Sequence, residues 1–149
     1  MRLIYKLYSI KVSLLEKIGM PLVILTLRLW LAAIFGSSGI VKISSWQATM
    51  SLFANEYKIP YLSAEVAAYS TTSIELLCSA LLIIGLAARL ATLPLLLLVA
   101  VIQLTYLNMS DHCYWAIMLC TILCYGAGPI SVDYFIRRAS ITRATPGKL

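Results

Sequence analysis

Long apolar runs recur four times along this chain, at about residues 22–41, 64–86, 90–107 and 112–127, and few folded states accommodate that pattern. A helix needs about 20 apolar residues to cross roughly 30 Å of hydrocarbon, and the first two runs reach that length. A soluble domain is typically about half apolar and a quarter charged. Here 61% of residues are hydrophobic and 12% charged. The expected fold is therefore an all-α membrane protein, a four-transmembrane-helix bundle filling residues 21–138.

The flanking segments have their own character. Leu3, Leu7, Ile10, Leu14 and Ile18 recur at helical spacing, opposite Arg2, Lys6, Ser9, Ser13 and Lys17. Residues 1–20 thus read as an amphipathic helix on the cytoplasmic membrane surface, with Lys11 snorkelling from the apolar side. A secretory signal is the rejected alternative, because the apolar core begins late and runs long. Trp46, Met50, Phe53 and Tyr57 form a stripe that predicts a short interfacial helix in the first outer loop. Ser63 is placed to cap the second span. Gly85–Arg89 reads as a tight turn, Pro94 as lying in the first turn of the third span, and Asn108–Asp111 as a polar turn. Gly126, Gly128 and Pro129 end the fourth span, and residues 139–149 are expected to be a disordered basic tail.

Charge sets the orientation. The net charge is +6, but nine of the twelve Lys and Arg residues fall in the two ends and the Gly85–Arg89 turn. Only Lys42 and Lys58 fall in the first outer loop, and Arg28 lies within a span. The positive-inside rule then puts both termini in the cytoplasm. Basic residues beside apolar runs suit anionic lipid headgroups, and no basic groove with interleaved aromatics is present, so nucleic acid is excluded as a partner.

Function is sought where the apolar pattern breaks. A charge within a span costs about 2.5–3.5 kcal/mol on insertion scales, so it usually has a partner or a task. Arg28 and Glu75 qualify, and their depths are expected to overlap. They read as a structural ion pair, with Glu75 also a candidate for proton handling. Lys42 lies about 21 Å along the helix from Arg28, near the same face, as a snorkelling lysine or a site residue. Gln103 and His112 fall near the same outer depth. Together with Lys42 they would form a polar cup for a quinone headgroup or an anion; the plainer reading is a helix-start Asp111 beside a wet histidine. Cys113, Cys120 and Cys124 share one stripe, a packing seam or a weak Cu(I) track. No zinc spacing, P-loop, G-x-S-x-G or dinucleotide fingerprint occurs.

Several of these pieces together resemble one family. Arg28-Leu-Trp-Leu-Ala, Gly39-Ile-Val-Lys42, Glu75 amid small residues, Gly85-Leu-Ala-Ala-Arg89-Leu-Ala and Gly126-Ala-Gly-Pro-Ile-Ser-Val-Asp133 look like the DoxX family, in order from about Leu25 to Arg138. The resemblance implies a four-helix protein of the bacterial inner membrane, associated with membrane redox systems or thiol stress. It carries over to Arg28, Lys42, Glu75, Gln103 and His112. Leu52–Pro60, Val101-Ile-Gln103 and His112-Cys-Tyr-Trp115-Ala are similar to a subgroup encoded beside copper-binding modified peptides. Ala127, where a Pro is common, and the Cys-rich fourth helix depart from the family pattern.

The expected function is an accessory subunit of a quinone-linked membrane redox system, with a membrane or periplasmic redox protein as partner. In that reading Glu75 moves protons with Arg28, and Lys42, Gln103 and His112 hold the headgroup. The alternative is a non-catalytic transport or assembly component, in copper or thiol-stress handling.

Overall fold

The computed structural model describes residues 12–13, 15–57, 59, 62–105 and 110–144. Most of the expected N-terminal amphipathic helix lies outside these residues. Its described end, Leu15–Gly19, is a π-helical turn running straight into helix α1 (Met20–Ser44). Pro21 sits in the first turn of α1, where its missing N–H has no helical partner to lose.

After Ser45 the chain forms a short helix, α2 (Trp46–Leu52), and a π-helical turn, Phe53–Tyr57. The aromatic stripe read from the sequence explains why this loop is ordered. Phe53 is buried against Ala67 and Ala68, and Trp46, Met50 and Tyr57 pack around them. Trp46 also meets Tyr69, with ring centroids 4.5 Å apart. Helix α3 (Ala64–Ile84) starts as expected, with the Ser63 hydroxyl accepting from the Val66 N–H. Gly85, at φ +67°, ends it in the left-handed conformation that glycine adopts without steric cost.

Helix α4 (Ala88–Thr105) begins earlier than the sequence suggested, so Pro94 lies inside it rather than in its first turn. The reason is tertiary. Asp133, far along the chain, accepts from the Ala87 and Ala88 N–H groups at 2.7 and 3.1 Å and caps the helix. Helix α5 (Ser110–Tyr125) takes in Ser110 and Asp111, which had been read as turn. Helix α6 (Val132–Ala144) corrects the expected tail, since residues 139–144 are helical. The Ser131 hydroxyl accepts from the Tyr134 N–H and supplies the cap that starts α6.

Helices α1, α3, α4 and α5 pack in a ring, each long helix against two neighbours. The core is aliphatic, with Leu31, Leu82, Leu95, Leu119 and Ile122 fully buried. Among the described residues the fold contains no strand. Two helical stretches, Leu15–Ser44 and Ala64–Ile84, are long and apolar enough to cross a membrane, and Ala88–Leu104 is a shorter apolar helix.

The exterior of the bundle is unlike that of a soluble one. Arg28, Thr71, Thr72, Glu75, Ser79, Thr92 and His112 are buried, while Trp30, Leu77, Leu90, Leu97 and Ile117 are each at least 60% exposed. Water would penalise such an exterior; lipid accepts it.

Candidate functional site

The half of the bundle next to α2 is organised by close approach of α1 and α3. A Cβ on Gly39 would lie only 2.8 Å from the Leu76 side chain, so a glycine there lets the helices touch. That contact brings Lys42 over Glu75. The Lys42 ammonium donates to both carboxylate oxygens, at 2.8 and 2.9 Å, and to the Ser38 hydroxyl at 2.6 Å. Ser38 in turn donates to Glu75 Oε1 at 3.2 Å. The side chains are only 11% and 3% exposed, so this is a desolvated, bidentate ion pair.

A cavity of about 460 Å³ opens beside the pair. Ser38, Lys42, Thr49 and Tyr57 are among its walls. Thr49 donates to the Lys42 carbonyl at 3.0 Å and fixes the elbow between α1 and α2. Burial pushes the Tyr57 phenol above its ordinary value, and the carboxylates of Glu75 and Glu56 add to the effect by disfavouring a phenolate. The cavity wall thus carries the Lys42 ammonium, the Ser38 and Thr49 hydroxyls and the Tyr57 phenol, with the Glu75 carboxylate behind Lys42.

The second polar cluster joins α4 to α5. His112 Nδ1 and Gln103 Oε1 are 2.7 Å apart, and the His112 ring meets Trp115 edge-on with centroids 5.1 Å apart. The amide oxygen only accepts, so Nδ1 carries the hydrogen. Trp115 rests against Phe35, one turn inward of Ser38 and Gly39, so both polar clusters lie at about the same depth. The sequence grouped Lys42, Gln103 and His112 in one cup. The structure pairs Gln103 with His112 and turns Lys42 toward α3 instead.

Arg28 is the main correction. It does not pair with Glu75. Its guanidinium donates to four backbone carbonyls: Leu82 at 2.9 Å, Ile83 at 3.0 Å, Ala127 at 2.6 Å and Ile130 at 2.8 Å. Helix α1 overruns the C-terminal end of α3 by about two turns, so Arg28 stands opposite the last carbonyls of α3, about 10 Å from the level of Glu75. Those carbonyls have no helical donor and form the negative end of the helix dipole, so a buried cation is at home there. Gly85 makes room for it, since a Cβ would sit 2.7 Å from Arg28 Nη2 and 2.6 Å from Ser131 Cβ. Ala127, which departs from the family pattern, takes part through its carbonyl alone. Arg28 is therefore a structural clamp.

The three cysteines of α5 are not brought together as ligands. All three are exposed on the outward side of the helix, and no metal-ligating cluster forms among the described residues. Seven residues of helical rise, about 10 Å, separate Cys113 from Cys120, too far for one metal ion. Sequence reasoning missed Ser38, Ser131 and Asp133. Only the Gly126–Asp133 motif pointed at the last two, and nothing local marked their partners.

An apolar exterior, polar residues set into the core and a buried ion pair between two membrane-length helices define a small helical membrane protein. The chain belongs to the DoxX family, whose model matches residues 23–108, from α1 to beyond the end of α4. That match includes Arg28, Lys42, Glu75 and Gln103 but not His112 or the Gly126–Asp133 loop. No curated protein and no solved structure matches the chain.

Proposed function

We propose that this DoxX-family membrane protein crosses the inner membrane four times, with both termini cytoplasmic, as an accessory subunit of a quinone-linked redox system. The observation that carries the reading is Lys42 on the wall of the 460 Å³ cavity, paired behind the wall with buried Glu75. Small-ligand pockets typically measure about 300–1,000 Å³ with a few converging polar groups, which fits a quinone headgroup. Bound there, the headgroup would accept two electrons from a partner subunit and two protons, becoming the quinol. Lys42 and Tyr57 would hold its oxygens, and the Lys42–Glu75 pair would pass the two protons in turn, each replaced from the aqueous face. Gln103 and His112, at the same depth on α4 and α5, give a second polar station.

The test is calorimetric titration of a short-chain quinone into protein purified in mild detergent. Saturable binding that weakens at least tenfold in Lys42→Met and Glu75→Gln supports the site. Unchanged binding in both variants and in His112→Ala refutes it. A second reading, a non-catalytic transport or assembly component, draws on the outward strip of α5, where Cys113, Ile117 and Cys120 are exposed together. Normal quinone-linked respiration in a deletion strain, with altered metal content or a lost partner complex, favours that reading. Impermeant labelling of both tails from the same face tests the orientation.

A further inference from the structure

The end of the bundle opposite the Lys42–Glu75 pair carries a second cavity, of about 390 Å³, that the proposed function does not use. It lies where the α3–α4 turn meets the link between α5 and α6, and its walls include Arg89, Arg137, Tyr134, Gly126 and Gly128. Two guanidinium groups and a phenol face one space. Asp133 is also on the wall, but both its oxygens already accept from the N-terminus of α4. Arg89 is anchored by a bond from Nη2 to the Cys124 carbonyl at 3.0 Å and packs over Gly126, where a Cβ would come within 3.2 Å of its Nε. That anchoring holds a forked donor in place beside the cavity.

The surroundings place this cavity at headgroup depth. Leu90 and Tyr125, at the inner ends of α4 and α5, are 68% and 65% exposed, so the walls leading away from the cavity are greasy. Helix α6 leaves the bundle here with Val132, Phe135 and Ile136 exposed along one side, while Asp133, Tyr134 and Arg137 lie on the side that lines the cavity. A helix with an apolar edge and basic residues on its other face lies in a bilayer interface. Arginine pairs bind phosphate through parallel N–H bonds, and basic pockets between membrane helices hold anionic lipid headgroups.

We infer that this cavity binds the phosphate of an anionic phospholipid, held between Arg89 and Arg137, with its acyl chains along Leu90 and Tyr125. The site is independent of the quinone reading at the other end. It ties α6 to the bundle through lipid and gives the two arginines beside this hollow a common partner.

The experiment measures thermal stability and lipid retention of the full chain in detergent. Phosphatidylglycerol, phosphatidylcholine and inorganic phosphate are added in separate titrations to wild type, Arg137→Gln and Arg89→Gln. The expected result is stabilisation by phosphatidylglycerol alone, with apparent affinity falling about fivefold for each arginine neutralised. Arg137 donates no bond on which folding depends among those described, so Arg137→Gln remains informative even if Arg89→Gln unfolds. Equal stabilisation by phosphatidylcholine, an undiminished response in Arg137→Gln, or equal protection by inorganic phosphate would each overturn the assignment.

Discussion

Replacing Lys42 with methionine isolates the physics of the outer site. Lys42 lies 2.8 Å from a carboxylate that is 3% exposed, so its removal leaves Glu75 charged, buried and alone. At an effective dielectric near 20 the lost attraction is about 6 kcal/mol before desolvation is counted. The variant need not bear that whole cost, because Glu75 can take up a proton. Neutralising a carboxyl of ordinary acidity costs about 1.4 kcal/mol for each unit by which the pH exceeds about 4.3, roughly 3.8 kcal/mol at pH 7 and about 1 kcal/mol at pH 5. Lys42→Met should therefore be destabilised by at most about 3.8 kcal/mol at pH 7, near 10 °C in Tm, and the deficit should shrink steeply toward pH 5. Adding Glu75→Gln should restore much of the loss, since an apolar and a neutral side chain need no counter-charge. Thermal or SDS unfolding of the four proteins, run at pH 5, 6 and 7, checks this. A Lys42→Met deficit that does not change with pH, or a double variant as unstable as the two singles combined, would refute the buried-pair account.

Three further outcomes follow from the inner end and the cysteine stripe. Arg28→Lys keeps the charge but loses the forked geometry that reaches four carbonyls, and SDS unfolding should show a loss of about 2–4 kcal/mol; parity with wild type would remove the clamp. Gly85→Ala meets both a left-handed backbone and the Arg28 and Ser131 atoms under 3 Å away, so a loss above about 2 kcal/mol is expected in the same assay. Serine at Cys113, Cys120 and Cys124 together should leave Cu(I) retention by the purified protein unchanged, because these exposed side chains join no metal-ligating cluster among the described residues. A measurable loss of copper would revive the metal reading.

Local chemistry explains what was legible in the sequence. Apolar runs of membrane length, the Ser63 cap and the glycine stop at Gly85 are all written within a few residues of where they act. The aromatic stripe at Trp46, Met50, Phe53 and Tyr57 likewise announced a helical segment, although its place against α3 came only with the fold. Polar residues inside apolar runs marked Arg28 and Glu75 as buried, because lipid leaves such groups nowhere else to go, whereas His112, with a wet histidine as its plainer reading, is buried against Gln103 and Trp115.

Which partner each buried group takes was decided by tertiary structure alone. Arg28 bonds to carbonyls 54 and 99 positions away, and a backbone acceptor leaves no mark on sequence composition. Glu75 finds Lys42 rather than Arg28 because α1 slides about two turns past the end of α3, an offset fixed by the close fit of Gly39 against Leu76. Asp133 likewise starts a helix it does not belong to. The chain's solvent preference is a sum over its own residues and can be read one residue at a time. Register between helices depends on how two surfaces fit, and only the folded molecule holds both.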